Sequence, residues 1–187
     1  MAVGKIIFLP LFCMLSVMDT PPGEYPVPQG ISDLLFYVQR SMNINTIIYQ
    51  LRTDKKGALI SENPVDYYYI NYAHKKEREE VSYIQKKLAY GISVRKMEGK
   101  SDAFIIEFQS VRKKILILMR SPSDNQYHVF VHINGRTCRL EKIFAQMGDH
   151  FTDQLKVKSI SIYGTDMESN SKLVEVINPQ DPDSIQP

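Results

Sequence analysis

Two strand-forming runs, Tyr127–Ile133 and Thr137–Leu140, are separated by little more than Asn134-Gly135. A type I′ hairpin turn needs positive φ at both central residues, and Asn-Gly supplies that at least steric cost. The segment therefore reads as a β-hairpin, and the same pattern recurs along the chain. Leu34–Arg40 and Thr46–Arg52 flank Ser41–Asn45, and Val65–Tyr72 carries tyrosines on both faces. Phe104–Phe108, Ile115–Met119, Val157–Tyr163 and Leu173–Ile177 follow, with Ile143–Met147 as a further candidate strand. Runs rich in Tyr, Phe and β-branched residues pack well on a pleated surface.

One segment departs from this. Glu77–Tyr90 places Val81, Ile84 and Leu88 at helical spacing, with glutamates early and lysines late, and Gly91 follows as a stop. It is expected to form one amphipathic helix whose apolar stripe covers the core. About nine or ten short strands joined by tight turns imply antiparallel neighbours, and closure or doubling removes exposed edges. The expected fold is mainly β: an antiparallel barrel or sandwich with that one helix. The run Ile115–Leu118, apolar on both faces, belongs in its centre under the helix.

The N-terminus is of another character. Ile6–Met18 is a charge-free stretch interrupted by Pro10, too short to span a bilayer but suited to an export signal. Residues 1–18 are read as that signal, 19–33 as a Pro-rich linker, 34–178 as a single β-rich domain and 179–187 as a frayed tail. The expected location is periplasmic or extracellular, with an uncleaved membrane anchor as the alternative. Membrane contact is then confined to the N-terminal segment.

Charge narrows the partners. Lys and Arg total 23 against 21 Asp and Glu, and Lys5 leaves with the signal. Such a balance argues against a nucleic-acid binder, although Arg112-Lys113-Lys114 could meet an anion. Cys138 is the one cysteine outside the export segment, so the domain has no internal disulfide and no cysteine-built zinc site.

At this point the blocks LLFYVQRSMNINTIIY, SYIQKKLAYG, NGRTCRLEKIFAQ and IYGTD become informative. In this order they resemble an uncharacterised exported bacterial family, domain of unknown function 4833. The resemblance spans roughly Leu34–Asn178. It implies no activity, and it directs attention to QRS, YIQ, AYG and YGTD.

Searches for chemistry are negative for nucleophile elbows, zinc-protease helices, P-loops and dinucleotide fingerprints. His128 and His132 share a strand face about 13 Å apart, too far to hold one metal. No metal and no cofactor is expected. Arg40 falls on the Leu34, Phe36, Val38 face, so it is expected to be inward, paired with a carboxylate such as Asp166 or anchoring an anion. Glu107 stands among apolar neighbours and needs a cation or a donor. Tyr49, Tyr69, Tyr90 and Tyr163 combine apolar area with a hydroxyl, which suits mixed ligands. Arg40, Tyr49, Tyr69, Tyr90, Glu107, Tyr163 and Asp166 are therefore the candidate ligand-binding residues. Two functions stand: a non-catalytic envelope protein holding a small ligand or a protein partner, and a hydrolase of envelope material using carboxylates. The missing nucleophile and metal motifs favour the first.

Overall fold

The computed structural model describes residues 25–109, 114–148 and 156–179. The expected export segment, the first part of the Pro-rich stretch, Arg112 and Lys113, and the tail from residue 180 lie outside the described residues. The elements are β1 (Leu34–Arg40), β2 (Asn43–Leu51), β3 (Val65–Asn71), β4 (Glu77–Glu79), α1 (Tyr83–Gln85) and a π-helical turn (Lys86–Tyr90). β5 (Ile92–Lys96), β6 (Phe104–Phe108), β7 (Leu116–Arg120), β8 (Tyr127–Ile133), β9 (Arg136–Met147), β10 (Val157–Asp166) and β11 (Lys172–Ile177) follow.

The described strands form one 11-stranded sheet, curled into a half-barrel. The chain is mainly β, as expected. Thr137–Leu140 and Ile143–Met147 merge into the long β9, while β4 and β5 are strands the patterning missed. The Asn134-Gly135 turn forms with φ of 49° and 78°, and β8 pairs antiparallel with β9 across it.

β9 organises the molecule. β10 pairs with it from Cys138 to Met147, and β11 continues from β10. Opposite β10, Arg136–Arg139 pairs with β8 while Lys142–Ala145 pairs with β1. Two arms therefore leave the same edge of β9, β1–β2–β3–β4 and β8–β7–β6–β5. A register shift at Glu141 bends β9 between them, as bulges do. The β1–β9 pair is parallel, the one exception to an otherwise antiparallel sheet.

The arms face each other across the core. Phe36 and Tyr49 from one arm meet Phe108 from the other edge-on, at 6.1 and 5.5 Å between ring centroids. Val38, Ile47, Ile106, Leu118, Val129, Ile133, Cys138 and Leu140 fill the space around them. Each such side chain contributes roughly 1.5–3 kcal/mol on full burial. The outer face is covered near β1 by the stretch from Tyr25. Its ring packs on Phe144 at 5.1 Å, and Gln39 donates to the Pro26 carbonyl at 2.7 Å.

The expected long helix over Glu77–Tyr90 is corrected. Glu77–Glu79 pairs with β3 instead, and only Tyr83–Tyr90 is helical. Ser82 caps this short piece in a capping box with Gln85. Val81 alone of the expected stripe is buried; Ile84 and Leu88 are exposed at 66% and 68%. Strand pairing to β3 captures the first residues, and the remaining two turns are too short to lay a stripe on the sheet. Nor does the helix cover Ile115–Leu118. Leu116 and Leu118 are buried, but Ile115 is exposed.

Candidate functional site

Strand alternation on the inner face of the first arm gathers Arg40, Tyr49 and Tyr69, and the π-helical turn brings Tyr90 to them. Phe36 and Tyr49 stack at 4.4 Å, and Tyr49 stacks on Tyr67 at 5.6 Å. The Tyr49 hydroxyl donates to the Tyr90 carbonyl at 2.7 Å, which ties the arm to the end of the π-helical turn. Burial holds the Tyr49 phenol well above the usual tyrosine value. The Tyr90 phenol is raised by burial as well, with the Arg40 guanidinium acting against the rise and Tyr69 adding to it. Tyr69 accepts from the Asn45 amide at 2.7 Å. Arg40, Tyr49, Tyr69 and Tyr90 thus form one cluster.

The other three lie elsewhere. Glu107 faces away from the core, 3.7 Å from Arg95. Tyr163 is on the outer face, where the Lys142 ammonium sits 4.5 Å from its ring centroid; burial lowers the Lys142 pKa. Asp166 is buried at the end of β10, accepting from Ser169 at 2.6 Å, from the Glu168 amide at 3.2 Å and from Arg136 at 3.1 Å. The Ser169 and Glu168 hydrogen bonds, then Arg136, hold its carboxyl below the usual aspartate value.

The expected Arg40–Asp166 pair is therefore not formed. Arg40 pairs in register with Ala145 of β9 and Asp166 with Cys138. Seven residues of strand separate those positions, roughly 23 Å at 3.3 Å per residue. Among the described residues no carboxylate pairs with Arg40. Lys114, the described member of the basic turn, binds Glu175 at 2.7 Å. His128 contacts Asp124 at 2.7 Å, and the described residues contain no group of three metal-ligating side chains.

Hollows occur where the two arms approach. A cleft of about 380 Å³ is lined by Glu62, Asn63, Val65, Asp66 and Tyr67 on one side and by Ile92 and Val94 of β5 on the other, with Lys86 between. A second, of about 280 Å³, continues past Lys86 along Asp66, Tyr67, Tyr68, Arg78, Glu79 and Glu80. Arg78 binds Asp66 at 2.8 Å and lies 3.7 Å over the Tyr68 ring; Lys86 lies 5.8 Å from the Tyr67 centroid. None of the seven candidates lines these clefts. The tyrosine cluster forms the packed floor behind them, and Tyr67 joins the two. Tyr67 was legible as a face-mate of Tyr49, whereas Lys86 read only as a lysine at a helix end and Asp66 carried no signal.

The family model for a domain of unknown function, DUF4833, matches residues 36–176. The chain belongs to that family. No curated protein and no solved structure matches. DUF4833 thus supplies a boundary consistent with the folded strands, from Phe36 in β1 to Val176 in β11. Among the described residues, no helix is long and apolar enough to cross a membrane.

Proposed function

We propose that this DUF4833 chain is a non-catalytic binding domain of the cell envelope, exported by its N-terminal segment, which takes its ligand in the clefts beside Tyr67 and Lys86. The observation that carries this reading is the convergence of both clefts on Asp66, Tyr67 and Lys86, at the place where the curled sheet stops short of closing. An aromatic floor with charged groups around it suits a ligand of mixed polarity.

The hydrolase reading draws less support. A carboxylate pair working on one bond must flank one cleft. Glu107 lies beside Arg95, and the Asp166 oxygens are taken by Arg136, Ser169 and a backbone amide.

The test is a fragment titration followed by amide chemical shifts. Shifts should cluster on Val65–Tyr67, Lys86 and Ile92–Val94, and Tyr67→Ala should remove them. Shifts confined to other surfaces would refute the site. Turnover of envelope polymers that is lost in Glu107→Gln or Asp166→Asn would replace binding by catalysis. Export is checked separately: intact mass from the extracytoplasmic fraction should begin after about residue 18, and full-length protein in the cytosol would contradict it.

A further inference from the structure

We propose that the seam between β3 and β5 is a strand-acceptor slot, filled by an extended peptide of a partner protein that is apolar at alternate positions and carries Lys or Arg between them. This rests on the binding-domain reading and names the ligand class for the same cleft.

The ladders decide which backbone groups face the seam. In an antiparallel pair, residues alternate between bonding their neighbour and pointing away from it. The Gln109 amide donates to the Gly91 carbonyl at 3.0 Å and the Met97 amide to the Ala103 carbonyl at 2.9 Å. In register with these, Ser93 and Arg95 bond β6, and Ile92, Val94 and Lys96 point outward. On the other arm the Arg52 amide donates to the Pro64 carbonyl at 2.8 Å, so Asp66 and Tyr68 bond β2 while Val65, Tyr67 and Tyr69 point outward. β4 takes up only Tyr69–Asn71. The Asn63 amide, oriented to accept from Arg52 at 2.9 Å, donates to the Val65 carbonyl at 3.1 Å. Among the described residues no backbone hydrogen bond reaches the Tyr67, Ile92 or Val94 edge groups across the seam. Two open edges therefore line one cleft, and the residues whose backbone points outward, Val65, Tyr67, Ile92 and Val94, are among those that line it.

The slot also has a direction and a length. β3 and β5 run the same way, because β1 is parallel to β9 and every other step is antiparallel. A peptide antiparallel to both continues the row that β4 begins. The chain itself leaves that row after Glu79, when Val81 turns into the core and Ser82 starts α1. Beyond Glu79 that row runs along Val65–Tyr68, a length of about four or five residues or roughly 15 Å of strand, with Lys86 beside it. Every second side chain would lie toward Tyr67, Ile92 and Val94, which pack against the core. The alternate ones would meet a rim where Glu62, Asp66 and Glu80 outnumber Arg78, which Asp66 already binds, while Glu79, opposite Tyr69, and Lys86, beside the Tyr67 ring, fall on the other face. That imbalance selects a basic strand. Pairing by main chain with specificity from alternate pockets is the known logic of strand addition.

The test is selection of a displayed random decapeptide library on the full chain. Enriched sequences should alternate apolar and basic residues. A selected peptide should protect the Tyr67, Ile92 and Val94 amides from exchange. N-methylation of its amides, in either register, should weaken binding at least tenfold, since both edges are used. Glu62→Lys with Glu80→Lys, both exposed positions whose fold is confirmed by melting, should also weaken it at least tenfold. No enrichment, equal binding by N-methylated peptide, unchanged amide protection, or a dimer that closes the seam without peptide would overturn the proposal. Small fragments that fill the cleft where no peptide does would overturn the slot and leave the binding-domain reading intact; a cleft that takes neither would overturn both.

Discussion

At Gly91 the π-helical turn ends and β5 begins. Its backbone is extended, φ −66° and ψ 140°, so left-handed freedom is not what the position needs. A Cβ there would meet the Lys86 carbonyl oxygen at 2.1 Å, the same oxygen that accepts the Gly91 amide at 2.9 Å. Gly91→Ala should therefore lose about 1–3 kcal/mol in a urea melt; an unshifted midpoint would show that the turn relaxes freely. Carboxyl groups give a second residue-scale expectation. Asp166 is held low by its hydrogen bonds and Arg136. Glu141 is raised by burial but lowered overall by Lys172 and Thr165. For a group whose folded pKa is depressed, the stabilisation is present above its unfolded pKa and is lost as pH falls through the folded value. Starting from ordinary values of 3.8 and 4.5, stability should drop on acidification below that range. Asp166→Asn and Glu141→Gln should each make the drop shallower; an identical pH profile would remove that role. That Tyr49 and Tyr67 share a face was legible because alternation sorts strand faces, whereas Tyr90, at the end of the π-helical turn, carried no such signal. The partner of Asp166 was not, because it depends on where β10 stops along β9.

Between Glu79 and Gly91 the chain shows how an element can be misread. Helical spacing of Val81, Ile84 and Leu88 is genuine in the sequence, yet only Val81 reaches the core. Periodicity measures which positions could share a face and not whether a sheet edge claims the start of the segment first. The energetic consequence is sharp. Val81→Ala should cost roughly 2 kcal/mol, near the lower end of buried truncations. Ile84→Lys with Leu88→Lys should stay within about 0.5 kcal/mol, as exposed changes do. Equal losses from both would restore the core-covering helix. The hairpin at Asn134-Gly135 was readable in full, since its requirement is local to two residues. β4 was not, because Glu77–Glu79 is three charged residues, the composition that edge strands carry, and β5 was not, because Ile92–Lys96 offers only Ile92 and Val94 as apolar positions before its charges.

For the whole molecule, the strand-rich character followed from punctuation and composition, but neither the joining of the strands into one sheet nor the fork at β9 did. Parallel pairing of Tyr37–Arg40 with Lys142–Ala145 joins segments about a hundred residues apart, and no local pattern announces it. The open seam is a product of that fork, so the clefts were equally hidden. The two arms end in unpaired edges at this seam, and residue-resolved amide hydrogen exchange on the free protein tests this most directly. Alternation is expected: Asp66, Tyr68, Ser93 and Arg95, bonded into their ladders, exchange slowly, while Tyr67, Ile92 and Val94 exchange fast. Protection of Tyr67, Ile92 and Val94 equal to that of their neighbours would mean a closed seam, and would contradict it.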